Sequence, residues 1–431
     1  MGMEINLLQA GKGDCILARC GTGIKKVNIL IDSGMSQDYF VKALSRIAGN
    51  NEKIDLLIFT HDDNDHIKGA TNLLKKMNQK SDGDKYASLN TSLGLGKKST
   101  KDCNKLLKEL TDERILFNFG GYGTETLLGV TEAKQLFESF NELSIQKLAF
   151  VLADAEGEMN VPYPNMLQLK WKIAGNDLQS NIIWQPNSEE LETETEDEHL
   201  EIVILSPRKQ ALVDYIHGAW EKQQKKDVPL KAEKKKRQNE WGKSIQHWLW
   251  NMAEKKDKLT DANQASIAFL IIYGQHCGLF AGDASPEDMV SAGRMYLTRK
   301  KIKQDYMDVD FIKLPHHGSS HNASREFFEF FRTKTFFVTT EGYTQYRHPG
   351  KVTLALIASA LGNKETADIY SSYSWWKDNT EFCRSEKSAG NWSMCGELCT
   401  LKDVDGTVKY LRFHKVGTDL VPIGKDIYVK N

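Results

Sequence analysis

Short apolar runs separated by polar or glycine-containing turns dominate the beginning of the chain. Between residues 4 and 32, the runs EINLL, CILARC and VNILID have the length and composition of strands, and IDLLIFT at 54–60 is a fourth. After Gly69 the apolar spacing becomes that of a helix, in ATNLLKKMNQ. Strands that alternate with helices predict a layered α/β domain.

The same strand pattern returns after residue 200, in EIVILSP, ASIAFLIIY, GLFAGDAS, DFIKLPHHGSSHN and KTFFVTTEGY. We therefore predict a core in two halves, with residues 365–431 as a small, aromatic-rich and β-rich C-terminal extension. The predicted parts are the first half of the core at 1–75, an insertion of mixed helix and strand at 76–200, and the second half at 201–364 with a charged helical insertion at 208–260.

Charge is nearly balanced over the 431 residues, with 57 Lys and Arg against 58 Asp and Glu. A surface that binds polyanions generally is therefore not expected, and affinity for DNA would come from a local patch. The basic run at 222–237, KQQKKDVPLKAEKKKR, is the best candidate for such a patch. Runs of like charge are more often solvated surface, so both interpretations stay open.

Cysteine usage and hydropathy predict a cytoplasmic protein that does not enter a membrane. The seven cysteines are scattered without a paired C-x-x-C spacing, which argues against a disulfide scaffold. The longest apolar runs are strand-sized, and the start MGMEINLLQAGKGD has no basic region followed by an apolar stretch.

One polar cluster carries the candidate chemistry. The apolar run that ends at Thr60 continues directly into HDDNDH at 61–66. Imidazole and carboxylate groups are ligands for borderline and hard divalent ions, and a loop that follows a buried strand holds them in a small space. Four ligand-capable groups at alternate and adjacent positions are more than one ion usually takes from one loop, so this cluster predicts metal binding and is compatible with two ions.

This loop resembles that of metallo-β-lactamase-fold hydrolases, H-x-H-x-D-H, with Asp63 in place of the second His. The form H-x-D-x-D-H followed by Ile and Gly is similar to the hydrolase domain of the competence protein ComEC. Further segments resemble that family in the same order: GKGDCILA, ILIDSG, NQASIAFLIIYGQHCGLFAGDAS, LPHHGSSHN, and YRHPG with Arg347 in place of a Gly. The resemblance covers residues 1–75 and 200–360 and implies a four-layer αββα sandwich with large insertions.

The resemblance implies two divalent metal ions, Mn²⁺ or Zn²⁺. His61 and Asp63 would hold one ion, Asp65 and His66 the other, and Asp283 would bridge both. The Asp63 carboxylate hardens the site and adds negative charge, which shifts its preference toward Mn²⁺ relative to Zn²⁺.

The resemblance also implies roles for the later histidines. His316 or His317 would complete the second metal site, and we favour His316 as the ligand and His317 as a neighbour that donates a proton or touches substrate. The remaining ligand of the first metal stays unassigned. His348 would contact a phosphate oxygen or act as an acid, so the predicted catalytic residues are Asp65, His317 and His348. Two further carboxylates are expected to brace the metal loops through hydrogen bonds: Asp14 and Asp32.

The function that follows is a two-metal-dependent hydrolase, a phosphodiesterase or nuclease that cleaves DNA with a hydroxide held between the ions. No membrane channel segments accompany the domain, so DNA uptake is not expected. Two alternatives remain: a metallo-hydrolase of a small ester or nucleotide, and a partner-controlled effector subunit of a bacterial defence-type system that docks a protein through the insertions.

Overall fold

A computed structural model describes twelve ranges of the chain. They are residues 2–22, 25–78, 106–107, 115–117, 200–208, 210–212, 214–215, 240–251, 259–342, 347–378, 380–390 and 397–431. The basic run 222–237 and most of the insertion predicted at 76–200 lie outside these ranges.

Strands and helices alternate through both predicted halves of the core. The strands are β1 (Met3–Leu7), β2 (Ile16–Thr22), β3 (Lys25–Ile31), β4 (Leu56–Phe59), β5 (Ile115–Phe117), β6 (Leu200–Ser206), β7 (Ala268–Tyr273), β8 (His276–Phe280), β9 (Met307–Asp308), β10 (Phe311–Lys313), β11 (Phe331–Arg332), β12 (Thr335–Phe337), β13 (Thr366–Ser371), β14 (Leu398–Lys402), β15 (Val408–Lys415), β16 (Val421–Gly424) and β17 (Ile427–Lys430). The helices are α1 (Gln37–Gly49), α2 (Asn64–Asn78), α3 (Ile245–Trp250), α4 (Asp261–Gln264), α5 (Pro286–Arg299), α6 (Arg325–Phe330), α7 (Lys351–Ser359), α8 (Trp375–Asp378) and α9 (Thr380–Ser388).

Two large sheets organise the described residues. The first has the strand order β16-β17-β1-β2-β3-β4-β5, and the second has the order β14-β15-β13-β12-β10-β8-β7-β6. One continuous buried apolar cluster includes residues of both sheets, for example Ile5 and Ile29 of the first and Phe269 and Leu279 of the second. The fold is thus mixed α/β with a core shared by two sheets, as a metallo-β-lactamase-type fold requires, and the four-layer order stays a prediction.

Helices pack against one another and against the strands of the sheets. Helices α1 and α2 pack against each other, and α5 packs on β6, whose seven residues are all buried. Helix α1 is amphipathic and begins at the N-cap Ser36, whose side chain accepts a hydrogen bond from the backbone N–H of Asp38 at 3.3 Å. None of the helices in the described ranges is both long enough and apolar enough to cross a membrane.

The C-terminal segment differs from the small extension that its aromatic content predicts. It is rich in strands, but these are integrated into both large sheets: β13 and β15 lie within the second sheet, and β17 pairs with β1 in the first. Its tryptophans Trp375 and Trp376 are buried and pack edge-to-face at 5.2 Å. Aromatic content indicates burial, but it does not show which sheet a distant strand will join.

The predicted insertion at 76–200 also contributes to the core. Within the described part of it, strand β5 pairs in parallel with β4 and so ends the first sheet. This pairing joins residues nearly sixty positions apart, so no local sequence pattern predicts it.

Candidate metal centre

Loops that follow parallel strands supply the candidate site. Strand β3 is parallel to β4, and β10 is parallel to both β8 and β12, so the carboxyl ends of these strands lie at common sheet edges. The residues that follow these ends include Asp32, His61, Asp283, His316 and Thr339. Backbone hydrogen bonds of 2.8 Å join the loops to one another, from Ile267 N–H to the Thr60 carbonyl and from His316 N–H to the Gly282 carbonyl.

The HDDNDH loop runs straight into helix α2. This helix begins at Asn64, earlier than the position after Gly69 that apolar spacing indicates. Asp65 and His66 therefore lie in its first turn, where the backbone N–H of His66 donates to the carbonyl of Asp63 at 2.9 Å. Gly13 of the preceding loop lies against the backbone carbonyl of Asp65, so closely that a Cβ there would collide with it.

One group of ligand atoms surrounds Oδ2 of Asp283. His61 Nε2 lies 3.6 Å from this oxygen and 3.6 Å from Oδ2 of Asp63, and His316 Nε2 lies 3.5 Å from it. We call this group the His61 position; its members are His61, Asp63, His316 and the shared Asp283.

A second group surrounds the other oxygen of the same carboxylate. His66 Nε2 lies 3.6 Å from Asp283 Oδ1, and His317 Nε2 lies 3.5 Å from Asp65 Oδ2. Ligand atoms of Asp65, His66 and His317 all lie within 4.8 Å of one another. We call this group the His66 position; its members are Asp65, His66, His317 and the shared Asp283.

Atoms at both positions fit divalent cations. His61 Nε2, His66 Nε2, His317 Nε2 and Asp283 Oδ1 are buried and have no hydrogen-bond partner among the described residues. Buried polar atoms are ordinarily paired, because an unmet one costs about 1–3 kcal/mol. Convergence of such atoms with carboxylates is the donor set of a metal site, so these residues could hold divalent metal ions.

The tautomers of the histidines agree with this arrangement. Nδ1 of His66 lies 2.7 Å from Asp32 Oδ2, and Nδ1 of His317 lies 3.2 Å from Asp14 Oδ1. A carboxylate accepts hydrogen bonds, so each Nδ1 carries the proton and each Nε2 keeps a lone pair for a metal.

Consecutive residues with positive φ bring both His316 and His317 to the centre. Their φ angles are 48° and 54°, in the left-handed region that residues other than glycine rarely adopt. This backbone lets both Nε2 atoms face the carboxylates, whereas the sequence predicted that only one of them would. The geometry favours His317 as a ligand, because 2% of its side chain is exposed and its Nε2 lies 3.5 Å from Asp65 Oδ2. The predicted roles of His316 as ligand and of His317 as proton donor stay predictions.

The residues that support the ligands are only partly predictable from the sequence. Asp32 accepts hydrogen bonds from the Thr60 backbone at 2.7 Å and from the Thr60 hydroxyl at 2.8 Å, as the bracing role predicts. Lys313, 1% exposed, forms a close ion pair with Asp14. Asn322 donates to the Asp283 carbonyl at 2.8 Å. Asp14 and Asp32 follow from the sequence as bracing carboxylates, whereas the motifs around Lys313 and Asn322 give no signal that singles these two residues out.

His348 lies on the His316 side of the centre. Its ring centroid is 5.2 Å from that of His316 and 6.4 Å from that of His317, and the side chain is half-buried. The loop that carries it is held by hydrogen bonds from Trp241 Nε1 to the Pro349 carbonyl at 3.0 Å and from Gly350 N–H to the Gly318 carbonyl at 2.8 Å.

Electrostatics in the metal-free centre favour protonated His61 and His317, whereas burial lowers the pKa of His316. Burial opposes positive charge on His61, but the carboxylates of Asp283 and Asp63 outweigh it and raise the pKa of His61 to about 10. Burial likewise opposes charge on His317, and Asp14 and Asp65 raise its pKa to about 10. Burial alone would raise the pKa of Asp283, yet the surrounding imidazoles hold it below its ordinary value. In the absence of metal, imidazolium groups thus take the place of the cations.

Metal binding should therefore release protons. At pH 7 the metal-free protein holds protons on His61 and His317, because both pKa values are about 10, and a ligating Nε2 must lose its proton. Loading both positions should release about two protons, so the overall binding constant should rise about 100-fold per pH unit between pH 7 and pH 9. Isothermal titration calorimetry in two buffers of different ionisation enthalpy measures this number. Heats that do not depend on the buffer would contradict the assignment, and His414→Gln, at a surface pair with Asp368, should leave the proton count unchanged.

Comparison with protein families agrees with this site. Residues 9–81 match the model of the metallo-beta-lactamase superfamily. The matched range contains Asp14, Asp32 and the HDDNDH loop, and the match supports a metal-dependent hydrolase. Asp283, His316 and His317 lie outside it, so their assignment depends on the geometry above. A comparison with curated proteins finds no match.

Proposed function

We propose that this chain is a two-metal-dependent phosphodiesterase, a nuclease that cleaves DNA. The observation that carries the proposal is the pair of ligand groups on opposite oxygens of Asp283, at 3.5–3.6 Å from three imidazole nitrogens. Two adjacent cation positions that share a carboxylate are an arrangement common to enzymes that displace groups at phosphorus.

The residues divide into those that hold cations and one that meets substrate. Asp283 and the four histidines His61, His66, His316 and His317 would hold divalent ions, which would supply a nucleophilic water at neutral pH and neutralise charge on the phosphoryl oxygens. Asp32 and Asp14 fix the orientation of His66 and His317.

His348 would protonate the leaving oxygen or bind a phosphate oxygen. It is the half-buried histidine beside His316, and its loop is held in place by Trp241 and Gly318. A general acid must lie within hydrogen-bond reach of the leaving group, and a position beside the more exposed ligand group offers that reach.

DNA as substrate is supported by the motif resemblance and by the basic run at 222–237, which lies outside the described residues. Balanced overall charge argues for local rather than processive contact with the backbone. Such a local patch suits brief contact with a polymer.

The test is cleavage of plasmid and single-stranded DNA with Mn²⁺, Mg²⁺, Zn²⁺ or EDTA. We expect cleavage with Mn²⁺, none with EDTA, and a loss of roughly a thousandfold or more in the double variant His61→Ala/Asp63→Ala. The matched control is His414→Ala/Asp368→Ala, which removes a surface histidine–aspartate pair with a 2.7 Å contact and should retain activity.

The negative outcomes separate the alternatives. Two bound ions without cleavage by any metal would overturn the stand-alone nuclease and favour a small ester or nucleotide substrate, or an effector subunit that a partner activates. Cleavage that the His61→Ala/Asp63→Ala variant retains would place the activity elsewhere.

A further inference from the structure

The two metal positions have the same set of ligands. Each offers two imidazole nitrogens, one carboxylate of its own and one oxygen of Asp283. A difference in affinity between the positions must therefore come from what surrounds the ligands.

Both histidines of the His66 position are hydrogen-bonded to buried carboxylates. Nδ1 of His66 lies 2.7 Å from Asp32, and Nδ1 of His317 lies 3.2 Å from Asp14. Asp32 and Asp14 are 0% and 1% exposed. A carboxylate on the far nitrogen fixes the ring and makes the metal-facing nitrogen more basic, which strengthens metal binding.

Both histidines of the His61 position contact neutral groups instead. Nδ1 of His61 lies 3.1 Å from the hydroxyl of Thr60 and 3.4 Å from that of Ser266. Nδ1 of His316 lies 2.9 Å from the amide oxygen of Asn322. Hydroxyl and amide partners orient the rings, but they add less basicity than a carboxylate does.

Exposure differs in the same direction. At the His61 position, two of the three side chains are well exposed: Asp63 is 51%, His316 30% and His61 2% exposed. At the His66 position only Asp65 is, at 28%, while His66 and His317 are 0% and 2% exposed. Exposed ligands must lose side-chain freedom and water when they bind an ion, whereas buried and hydrogen-bonded ligands are already ordered.

Lys313 fixes the carboxylate that holds His317. Its ammonium pairs closely with Oδ2 of Asp14 and lies 3.5 Å from the carbonyl of Gly282, next to the bridging Asp283. The Thr339 hydroxyl donates to Oδ1 of Asp14. Asp14 thus has no freedom to turn away from His317.

From the equal ligands and the unequal surroundings, we propose that the ions bind in a fixed order. The His66 position binds first and tightly, and the His61 position binds second and is the exchangeable one. The proposal depends on the two-metal centre but not on DNA as the substrate.

The experiment is titration of the metal-free protein with Mn²⁺, with the free ion measured by electron paramagnetic resonance. We expect two steps in the wild-type protein, whose dissociation constants differ by about tenfold to a hundredfold. Asp65→Asn should abolish the tight step and leave a single weak one. Its matched control is Asp63→Asn in the same loop, which should keep the tight step and abolish the weak one.

A third variant tests the surroundings alone. Asp14→Asn keeps the size of the side chain but removes its charge, and it should weaken the tight step by about 10- to 100-fold while the weak step stays within about threefold of wild type. Circular dichroism shows whether each variant is folded, and Asp32→Asn should reproduce the effect through His66 if Asp14→Asn does not fold.

Three results would overturn the fixed order: two equal steps in the wild-type protein, loss of the tight step in Asp63→Asn, or an unchanged tight step in folded Asp14→Asn. Absence of any Mn²⁺ binding by the wild-type protein would instead overturn the two-metal centre itself. Binding of Mn²⁺ in this order by a protein that does not cleave DNA would support the proposed binding order. It would contradict only the proposal that the protein is a nuclease.

Discussion

Asp283→Asn is expected to lose both metal ions and to lower activity roughly a thousandfold or more. Asp283 is 2% exposed and shares its two oxygens between the His61 and His66 positions. Asparagine has the same shape, but it offers one neutral oxygen instead of two charged ones. The metal content measured after dialysis should fall from about two ions per chain in the wild-type protein to less than one in the variant.

Two further measurements show whether charge explains the loss. The Ser266 hydroxyl accepts a hydrogen bond from the Asp283 backbone N–H at 3.0 Å, and Asn322 donates to its carbonyl at 2.8 Å. The Asp283→Asn variant keeps both of these backbone contacts. Its circular dichroism spectrum should therefore match that of the wild-type protein. Asp308→Asn, at an exposed position on β9, is the matched control and should keep both ions. A folded Asp283→Asn variant that still binds two ions would contradict the bridging role.

Lys351→Met is expected to lower the free energy of unfolding by about 3–5 kcal/mol. The ammonium of Lys351 and the carboxylate of Glu386 are both 0% exposed and lie 2.7 Å apart. Nζ of Lys351 also donates to the carbonyl of Phe382 at 3.0 Å. Burial raises the pKa of Glu386, so removal of its partner leaves a carboxylate with no compensating charge in the core. Urea denaturation measures the change.

A second variant separates charge from packing. Lys351→Met/Glu386→Gln removes both charges and keeps an acceptor for the backbone N–H of Ile245, which lies 2.8 Å from the glutamate oxygen. It should recover most of the lost stability, to within about 1–2 kcal/mol of wild type. Lys334→Met at the exposed pair with Glu365, also 2.7 Å apart, should cost less than about 1 kcal/mol. A Lys351→Met variant as stable as the wild-type protein would show that the buried pair with Glu386 contributes nothing to the free energy of unfolding.

The lysine of this pair lies next in sequence to the loop that carries His348. Lys351 is the first residue of α7 and directly follows the loop that holds His348. Lys351→Met should therefore disturb His348 more than the metal ligands, and the double variant should restore its position.

Local patterns predicted the metal loop and most of the strands. An apolar run that ends at HDDNDH places side chains at the end of a strand, and the structure has β4 end at Phe59 and the ligand atoms converge just beyond it. Such features need only a few neighbouring residues, so a sequence can carry them. The bridging role of Asp283 came instead from the family resemblance, because a glycine-containing turn after a strand does not by itself indicate a ligand.

Features that depend on distant residues, or on unusual backbone angles, could not be predicted. His316 and His317 both face the carboxylates because of two consecutive positive φ angles, which no residue type there demands. Lys313 looks like an ordinary lysine at the end of a strand until Asp14, almost 300 positions earlier, is brought beside it. The C-terminal strands join both sheets through pairings across the whole chain, such as β17 with β1.

Anomalous diffraction from crystals grown with Mn²⁺ tests the two-metal centre most directly. The account predicts two peaks about 3.5–4 Å apart, one on each oxygen of Asp283. One peak should be surrounded by His61, Asp63 and His316, and the other by Asp65, His66 and His317. A single peak that does not touch Asp283, or no peak at this edge of the sheets, would contradict it.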